Sequence, residues 1–148
     1  MYQLRITGNP PLENERLKAN YGAGKGTGKP LRRSTEASDY QRVAGLQAQA
    51  ALRGLGVNAP LKGPLVVLYL TRIPKGQRDW SASLKDLQDA LQGIAWENDR
   101  QIVFGSGIID RKADVAEVVV YFAPVRELAK LTALAETLTR ALYPEESP

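Results

Sequence analysis

At 148 residues with 43% apolar side chains, the chain can bury one proper core and is expected to form a single domain, residues 1–148. It contains neither cysteine nor histidine. That excludes disulfides, zinc-thiolate and iron–sulfur sites, histidine-based metal sites and serine–histidine triads, and leaves carboxylates, lysine and oxygen-bound metals as means of catalysis. The net charge of +4 hides an asymmetry: residues 1–78 hold 13 Lys+Arg against 4 Asp+Glu, and residues 79–148 hold 7 against 12.

A basic front half joined to an acidic back half suits a protein that processes nucleic acid, with cations to hold phosphates and carboxylates to hold metal. A solvated basic surface accounts for the charge equally well. No stretch is long and apolar enough to cross a bilayer, and "MYQLRITGNPP" lacks the apolar core of a signal peptide. The expectation is therefore a cytoplasmic protein without a membrane partner, nucleoid-associated when bound to DNA.

In chain order, "YQLRITG" (Tyr2 to Gly8) alternates polar and apolar side chains like a half-buried strand, and "GNPP" ends it. From Asn9 to Thr35 the sequence predicts a long irregular segment in which "GAGKGTGKPLRR" interleaves glycines with Lys25, Lys29, Arg32 and Arg33. Without apolar periodicity it reads as a mobile basic loop over about 9–36, either settling on a polyanion or lying free on the surface. "GAGKGTGK" is not a phosphate-binding P-loop: the glycine spacing fails, and Lys29-Pro30 replaces the Lys-Ser/Thr step. No nucleotide cofactor is expected.

Ser34 to Asp39 offer helix caps, and Tyr40, Val43, Leu46, Ala50 and Arg53 follow at helical spacing, predicting a helix of about four turns that "RGLG" stops. "PLVVLYLTRI" (Pro64 to Ile73) reads as a central strand, which places Asp79 just beyond its end. Leu84, Leu87, Leu91 and Ile94 mark the apolar stripe of a short helix closed near Gly93. "QIVFGSGIID" and "DVAEVVVYFA", joined by "RKA" with Ala113 at the link, predict a hairpin. A final helix over about 125–142 repeats Leu128, Leu131, Ala135, Leu138 and Leu142, a seam that either packs on its own sheet or pairs two subunits.

The most polar stretch is "RDWSASLKDLQDALQGIAWENDRQI", from Arg78 to Ile102. Asp79 precedes the helix, and Lys85 and Asp89 share one face of it at i,i+4, opposite the leucines. Ser81 or Ser83 can cap the helix, Ser83 with Asp86 in the manner of a capping box. Caps and a surface ion pair account for Ser83, Asp86 and Asp89, but not for Asp79 together with Asp99 and a basic lobe upstream.

In these residues the chain resembles the RusA-type Holliday junction resolvases. Their hallmark is Asp-x-Asp-Asn-x-x-Lys-x-x-x-Asp-Ala-Leu, then an aromatic residue and an Asp-Asp pair before Gln and an aliphatic residue. "DWSASLKDLQDAL" matches at Asp79, Lys85, Asp89, Ala90 and Leu91, and "WENDRQIV" at Trp96, Asp99, Gln101 and Ile102. "PPLEN" is similar to the family's Pro-Pro-Ser-x-Asn turn at Pro10, Pro11 and Asn14. The resemblance covers most of residues 2–122. It implies an α/β (α+β) domain, a small mixed sheet of about four strands packed with helices, here with an extra C-terminal helix. It also implies a homodimer that binds four-way DNA junctions and cuts them with Mg2+, for which Mn2+ is a plausible substitute.

Carried over residue by residue, the resemblance makes Asp79 and Asp99 metal-binding acids, Lys85 a lysine needed for cleavage, and Asp89 a supporting acid. The basic residues expected on DNA are Lys18, Lys25, Lys29, Arg32, Arg33, Lys75 and Arg78. Magnesium takes an octahedral shell of oxygens, so two or three carboxylates leave positions for water and a phosphate oxygen. Lys85 can stabilise charge on the phosphate or on the leaving oxygen.

Two departures fall inside the motif. Ser81 and Ala82 stand where the family has Asp-Asn, leaving Ser81 as a weakened metal position, and Asn98 replaces the first acid of the Asp-Asp pair. Three outcomes are open. The site works with Glu97 or Asp86 supplying the missing oxygen, or the protein is a weakened or inactive branched-DNA binder, or Ser81 and Ala82 are introduced changes that trap a complex.

Overall fold

The computed structural model describes residues 1–8, 17–19, 31–74 and 81–144, with the backbone alone at 17–19, 31–33 and 81–83. Its elements are strand β1 (Tyr2–Thr7), a ribbon of β2 (Leu17–Ala19) and β3 (Leu31–Arg33), helix α1 (Thr35–Gly54), strand β4 (Leu65–Arg72), helix α2 (Ser81–Leu91), strands β5 (Ile102–Asp110) and β6 (Glu117–Pro124), and helix α3 (Leu128–Leu142). Single 3-10 turns at Asp99–Gln101 and Val125–Glu127 lead into β5 and α3.

The sequence of β4, "LVVLYLTR", explains the architecture. Every residue from Leu65 to Thr71 is buried, which requires cover on both faces of the sheet. Successive side chains of a strand point to opposite faces. Leu65, Val67 and Tyr69 accordingly join one core with Leu4, Ile6, Val118, Val120 and Phe122, under α1 and α2. Val66, Leu68 and Leu70 join a second core with Val119, Ala123, Ile108 and Leu131 of α3. The result is an α+β fold: a mixed four-strand sheet with three helices, α1 and α2 on one face and α3 on the other.

Strand order is β1-β6-β4-β5. β6 is antiparallel to both β1 and β4, whereas β5 runs parallel to β4. A parallel neighbour needs a crossover, and α2 is the helix between the two. This corrects the predicted hairpin: β4 lies between β5 and β6, so the link at 111–116 steps across a whole strand, roughly 10 Å at the usual spacing. The side chains give the reason. Val118, Val119, Val120 and Phe122 of β6 are at most 1% exposed and need an interior position, while Val103 and Phe104 of β5 are 58% and 44% exposed and sit at an edge.

Two further expectations change. α1 runs for 20 residues rather than about four turns, because it starts at the first available cap, Ser34, whose hydroxyl oxygen accepts from Ala37 N at 3.1 Å. Its buried face is Ala37, Tyr40, Ala44, Gly45, Ala48 and Leu52, and Val43 and Leu46, two of the residues that marked the helical spacing, are 40% and 57% exposed. The irregular segment from Asn9 to Thr35 contains the β2–β3 ribbon, in which Lys18 lies opposite Arg32 and Leu17 opposite Arg33. The turn at Pro10, Pro11 and Asn14, and Lys25 and Lys29 of the expected mobile loop, lie outside the described residues.

At the end of β4, a rung of charge crosses the sheet. Arg72 Nη1 donates to the buried Glu117 Oε1 at 2.5 Å, and Arg5 Nε lies 3.6 Å from Glu117 Oε2. Arg72 Nε lies 3.8 Å from Asp110 Oδ2, close enough for an ion pair and too far for a hydrogen bond. The seam of α3 is spent on its own sheet: Leu131, Leu134, Ala135, Leu138 and Leu142 pack on the second core, and Leu128 is 36% exposed. Among the described residues, no helix is long and apolar enough to cross a membrane.

Candidate functional site

The predicted stripe of α2 is the one that turns inward, with Leu87 and Leu91 fully buried and Leu84 and Ile94 packed at the margin. That orientation leaves Lys85 and Asp89 on the far side, where Lys85 Nζ reaches Asp89 Oδ1 at 2.8 Å across one turn. After α2 the chain reverses at Gly93, whose φ of 76° is costly for any residue with a Cβ. Gly93 N donates to Trp96 O at 2.6 Å, closing the reversal.

Trp96 is fully buried, its ring edge-on to Phe122 with centroids 5.9 Å apart. A buried indole N–H needs an acceptor, and Trp96 Nε1 donates to Asp99 Oδ1 at 3.0 Å. The turn carrying Asp99 is fixed at both ends. Asn98 Oδ1 accepts from Arg100 N at 2.9 Å and Asn98 N donates to Gln101 Oε1 at 2.8 Å. Gln101 Nε2 in turn donates to Leu61 O and Gly63 O at 3.1 and 2.9 Å. Asn98, considered from sequence as a substitute for a metal-binding acid, thus uses its amide oxygen to cap the turn.

Asp99 Oδ2 lies 3.5 Å from Lys85 Nζ. The ammonium therefore stands between two carboxylates from separate elements, Asp89 on α2 and Asp99 on the 3-10 turn. The hydrogen bond from Asp89 raises the Lys85 ammonium above its ordinary value; partial burial acts the other way, and the charges of Asp89 and Asp99 reinforce the rise.

Beneath the pair lies a buried polar layer that the sequence reading missed. Asp86, expected as part of a surface cap, is 0% exposed because α1 covers that side of α2. Gln41 of α1 donates to Asp86 Oδ1 at 2.9 Å and reaches Asp89 Oδ2 at 3.4 Å. Gln88 Nε2 donates to Tyr69 Oη at 3.1 Å. Burial pushes the Tyr69 phenol up to about 12, with the Gln88 hydrogen bond pulling it down and the Asp99 charge pushing it further up. Tyr40 is raised as well, by burial first and then by the Asp86 charge, and its hydroxyl has no hydrogen-bond partner among the described residues.

An open groove of about 490 Å³ between α1 and α2 adjoins Asp89 and is lined by Ser38, Gln41, Arg42, Gln49 and Ile94 among others. Glu97, the other candidate for a missing oxygen, is 3.6 Å from Lys62. Asp79, Lys75 and Arg78 lie outside the described residues, and for Ser81, Lys18, Arg32 and Arg33 only the backbone is described. Ser81 opens α2.

Among the described residues, no three metal-ligating side chains form a cluster. Two carboxylate oxygens nevertheless converge on a single cation, the Lys85 ammonium, at 2.8 and 3.5 Å. Magnesium is commonly held by one or two carboxylates, with water and phosphate oxygens completing the shell, so Asp89 and Asp99 fit as part of a donor set. No protein-family model and no curated protein matches the chain.

Proposed function

We propose that the chain is a metal-dependent, structure-specific endonuclease that binds four-way DNA junctions as a homodimer and hydrolyses a phosphodiester bond, with Mg2+ as cofactor and Mn2+ as a substitute. The observation that carries this reading is the convergence of Lys85, Asp89 and Asp99, three residues that the resolvase resemblance singles out and that lie 14 positions apart at their ends.

Asp99, joined by Asp79 and assisted by Asp89, would hold the metal. Bound there, Mg2+ would supply a more acidic water and offset charge on the phosphate. Trp96 fixes the direction of the Asp99 carboxylate through Oδ1. Lys85, more than half exposed, is long enough to meet the scissile phosphate or the leaving oxygen. The basic residues Lys18, Arg32 and Arg33 on the ribbon, with Lys25, Lys29, Lys75 and Arg78, would hold the flanking phosphates. Binding should then weaken steeply with salt, through counterion release.

A synthetic four-way junction tests the reading. The protein should nick it in the presence of Mg2+ or Mn2+ and leave it intact in EDTA, and Asp99→Asn should lose cutting by a factor of 100 or more, on the order of a lost catalytic group, while still binding. Undiminished cutting by Asp99→Asn would overturn the assignment. A second reading, a junction-binding protein with little or no cleavage, draws on Ser81, a hydroxyl where the resemblance has a carboxylate. In that case binding persists in EDTA, no nick forms, and Ser81→Asp is the variant in which cleavage should appear.

A further inference from the structure

The two edges of the sheet are finished in different ways. At β1, Thr7 N donates to Gln47 Oε1 at 2.8 Å and Thr7 O accepts from Gln47 Nε2 at 3.2 Å, so α1 closes that edge, and Arg5 adds a charge to it. At the other edge, the run of β5 from Ile102 to Ile109, "IVFGSGII", carries neither a charge nor a proline. Edge strands are commonly blunted by such residues, by bulges or by cover, because their unpaired backbone groups are a template for a further strand. β5 has one extra residue where Leu65 faces Ile102 and Val66 faces Phe104, but from Phe104 to Asp110 its register is regular.

One hydrogen bond shows which backbone groups are left over. Asp110 O accepts from Ile73 N at 2.8 Å, so Asp110 turns its backbone toward β4, and alternate residues of a parallel strand turn theirs the other way. Phe104, Ser106 and Ile108 therefore face β4, while Gly105, Gly107 and Ile109 face outward. Ile109 O is taken by the Tyr143 hydroxyl, which leaves Gly105 and Gly107. The φ of Gly105 is not left-handed, and among the described residues a Cβ there would meet only Ile102 Cγ2, at an ordinary 3.8 Å. Nothing described inside the chain calls for a glycine at 105. A glycine weakens a strand, and it often marks the close approach of another backbone.

We propose that β5 is a dimerisation edge, pairing antiparallel with β5 of a second copy about a two-fold axis at Gly105. The residues on either side of Gly105 fit that axis. Val103 and Phe104, 58% and 44% exposed, come before it, and Ser106 and Gly107 come after. In the two-fold register Phe104 lies opposite the partner's Ser106 and Val103 opposite the partner's Gly107, each large side chain against a small one, and the rotation repeats both contacts. Gly105 and the partner's Gly105 form the central hydrogen-bonded pair, which needs outward backbone groups at that residue. On the α3 face, Phe104 and Ser106 line an apolar groove of about 370 Å³ with Leu68, Leu131 and Ala135. The partner's Phe104, standing over Ser106, covers it. Glu136 and Arg140 at the rim, 3.6 Å apart, are one acid and one base, a pair that complements itself on rotation. The inference rests on the proposed reading for its homodimer and deepens it by naming the surface; it requires neither a metal nor cleavage.

The experiment is sedimentation velocity of the full chain over a range of concentrations, on the natural protein, Phe104→Lys and Gly105→Pro. Gly105 N points outward, so proline removes no hydrogen bond within the chain, and Phe104 is half-exposed; thermal melts should show both variants folded. The natural protein should dimerise, and each variant should weaken self-association about 30-fold or more, the scale of a lost interface hot spot. Because the chain has no cysteine, single cysteines test the register. Gly105→Cys should form a disulfide-linked dimer under mild oxidant, since Cα atoms of such a pair lie about 5.5 Å apart, within disulfide reach. Val103→Cys should not, since the two copies of residue 103 would be displaced by roughly 13 Å along the strands.

A dimer that survives both edge variants, or Val103→Cys cross-linking as readily as Gly105→Cys, would overturn the inference and leave the nuclease reading its homodimer through another surface. A natural protein that is monomeric at every concentration removes the inference and the homodimer together. Junction cleavage measured in parallel separates the remaining cases: dimerisation through β5 with no cleavage leaves the edge standing and sinks the nuclease.

Discussion

Tyr69 and Tyr40 lie under the carboxylates, and their phenols are where burial has its clearest titratable consequence. A phenol raised in the folded state keeps its proton after the unfolded chain has lost it, so its contribution to stability is complete below the unfolded value of about 10. For Tyr69 that contribution is lost as pH climbs from there toward about 12. Tyr40 acts in the same sense. So does Lys85, whose raised value gives stability that is present below its unfolded value and lost as pH rises through its folded one. Denaturant midpoints should therefore fall between about pH 10 and pH 12, and Tyr69→Phe should make the fall shallower by up to about 1.4 kcal/mol per pH unit. At this scale the sequence was informative for one pair of residues within a single turn. The i,i+4 spacing of Lys85 and Asp89 predicts the 2.8 Å contact found. It could not reveal Asp86, because its burial depends on α1, 45 residues away through Gln41.

Helix α1 shows why hydrophobicity alone misplaces a face. Val43 and Leu46 are large and apolar, yet they stay exposed, and between Tyr40 and Leu52 the face that packs is made of Ala44, Gly45 and Ala48. α1 and α2 approach so closely that a Cβ on Gly45 would lie 3.1 Å from Ile94 Cδ1 and 3.6 Å from Ala90 O. Close approach selects small residues, which are weak signals in a hydrophobicity pattern. Gly45→Ala should be nearly neutral, since the gain of about 1 kcal/mol in helix propensity offsets a small shift of the flexible Ile94 end. Gly45→Leu should lower stability by about 1–3 kcal/mol through overpacking and should disturb the Gln41 contacts to Asp86 and Asp89, which urea titration and the Mn2+ affinity of the variant would both register. The strands of the sheet posed a different problem. β5 and β6 were legible as strands, but which strand lies between them is decided by burial of both faces of β6, a property of the whole sheet.

Taken whole, the molecule is a sheet with a polar-edged helix pair on one face and a single apolar helix on the other. Leu131 of α3, 1% exposed, anchors that helix to β4 and β6. Leu131→Ala should cost about 2–5 kcal/mol, and the loss should be independent of protein concentration, because the contact lies within one chain. A loss that grew on dilution would instead give the seam a part in pairing two subunits. Four strands and the terminal helix were legible from strand-length apolar runs and a three-four leucine repeat, whereas their union in one mixed sheet was what the resolvase resemblance implied. The β2–β3 ribbon was not, since "LKA" and "LRR" are three residues each and carry no periodicity.

The double pairing of β4 has a consequence for how the molecule opens. Its backbone is hydrogen-bonded to β6 on one side and β5 on the other along its length, so no fraying from an edge can free it. Its amide protons can exchange with solvent only when the sheet as a whole comes apart, whereas the outward amides of β5 exchange by local opening. The slowest-exchanging amides of β4 therefore give a direct reading of global stability in any variant, separate from changes confined to Lys85, Asp89 and Asp99.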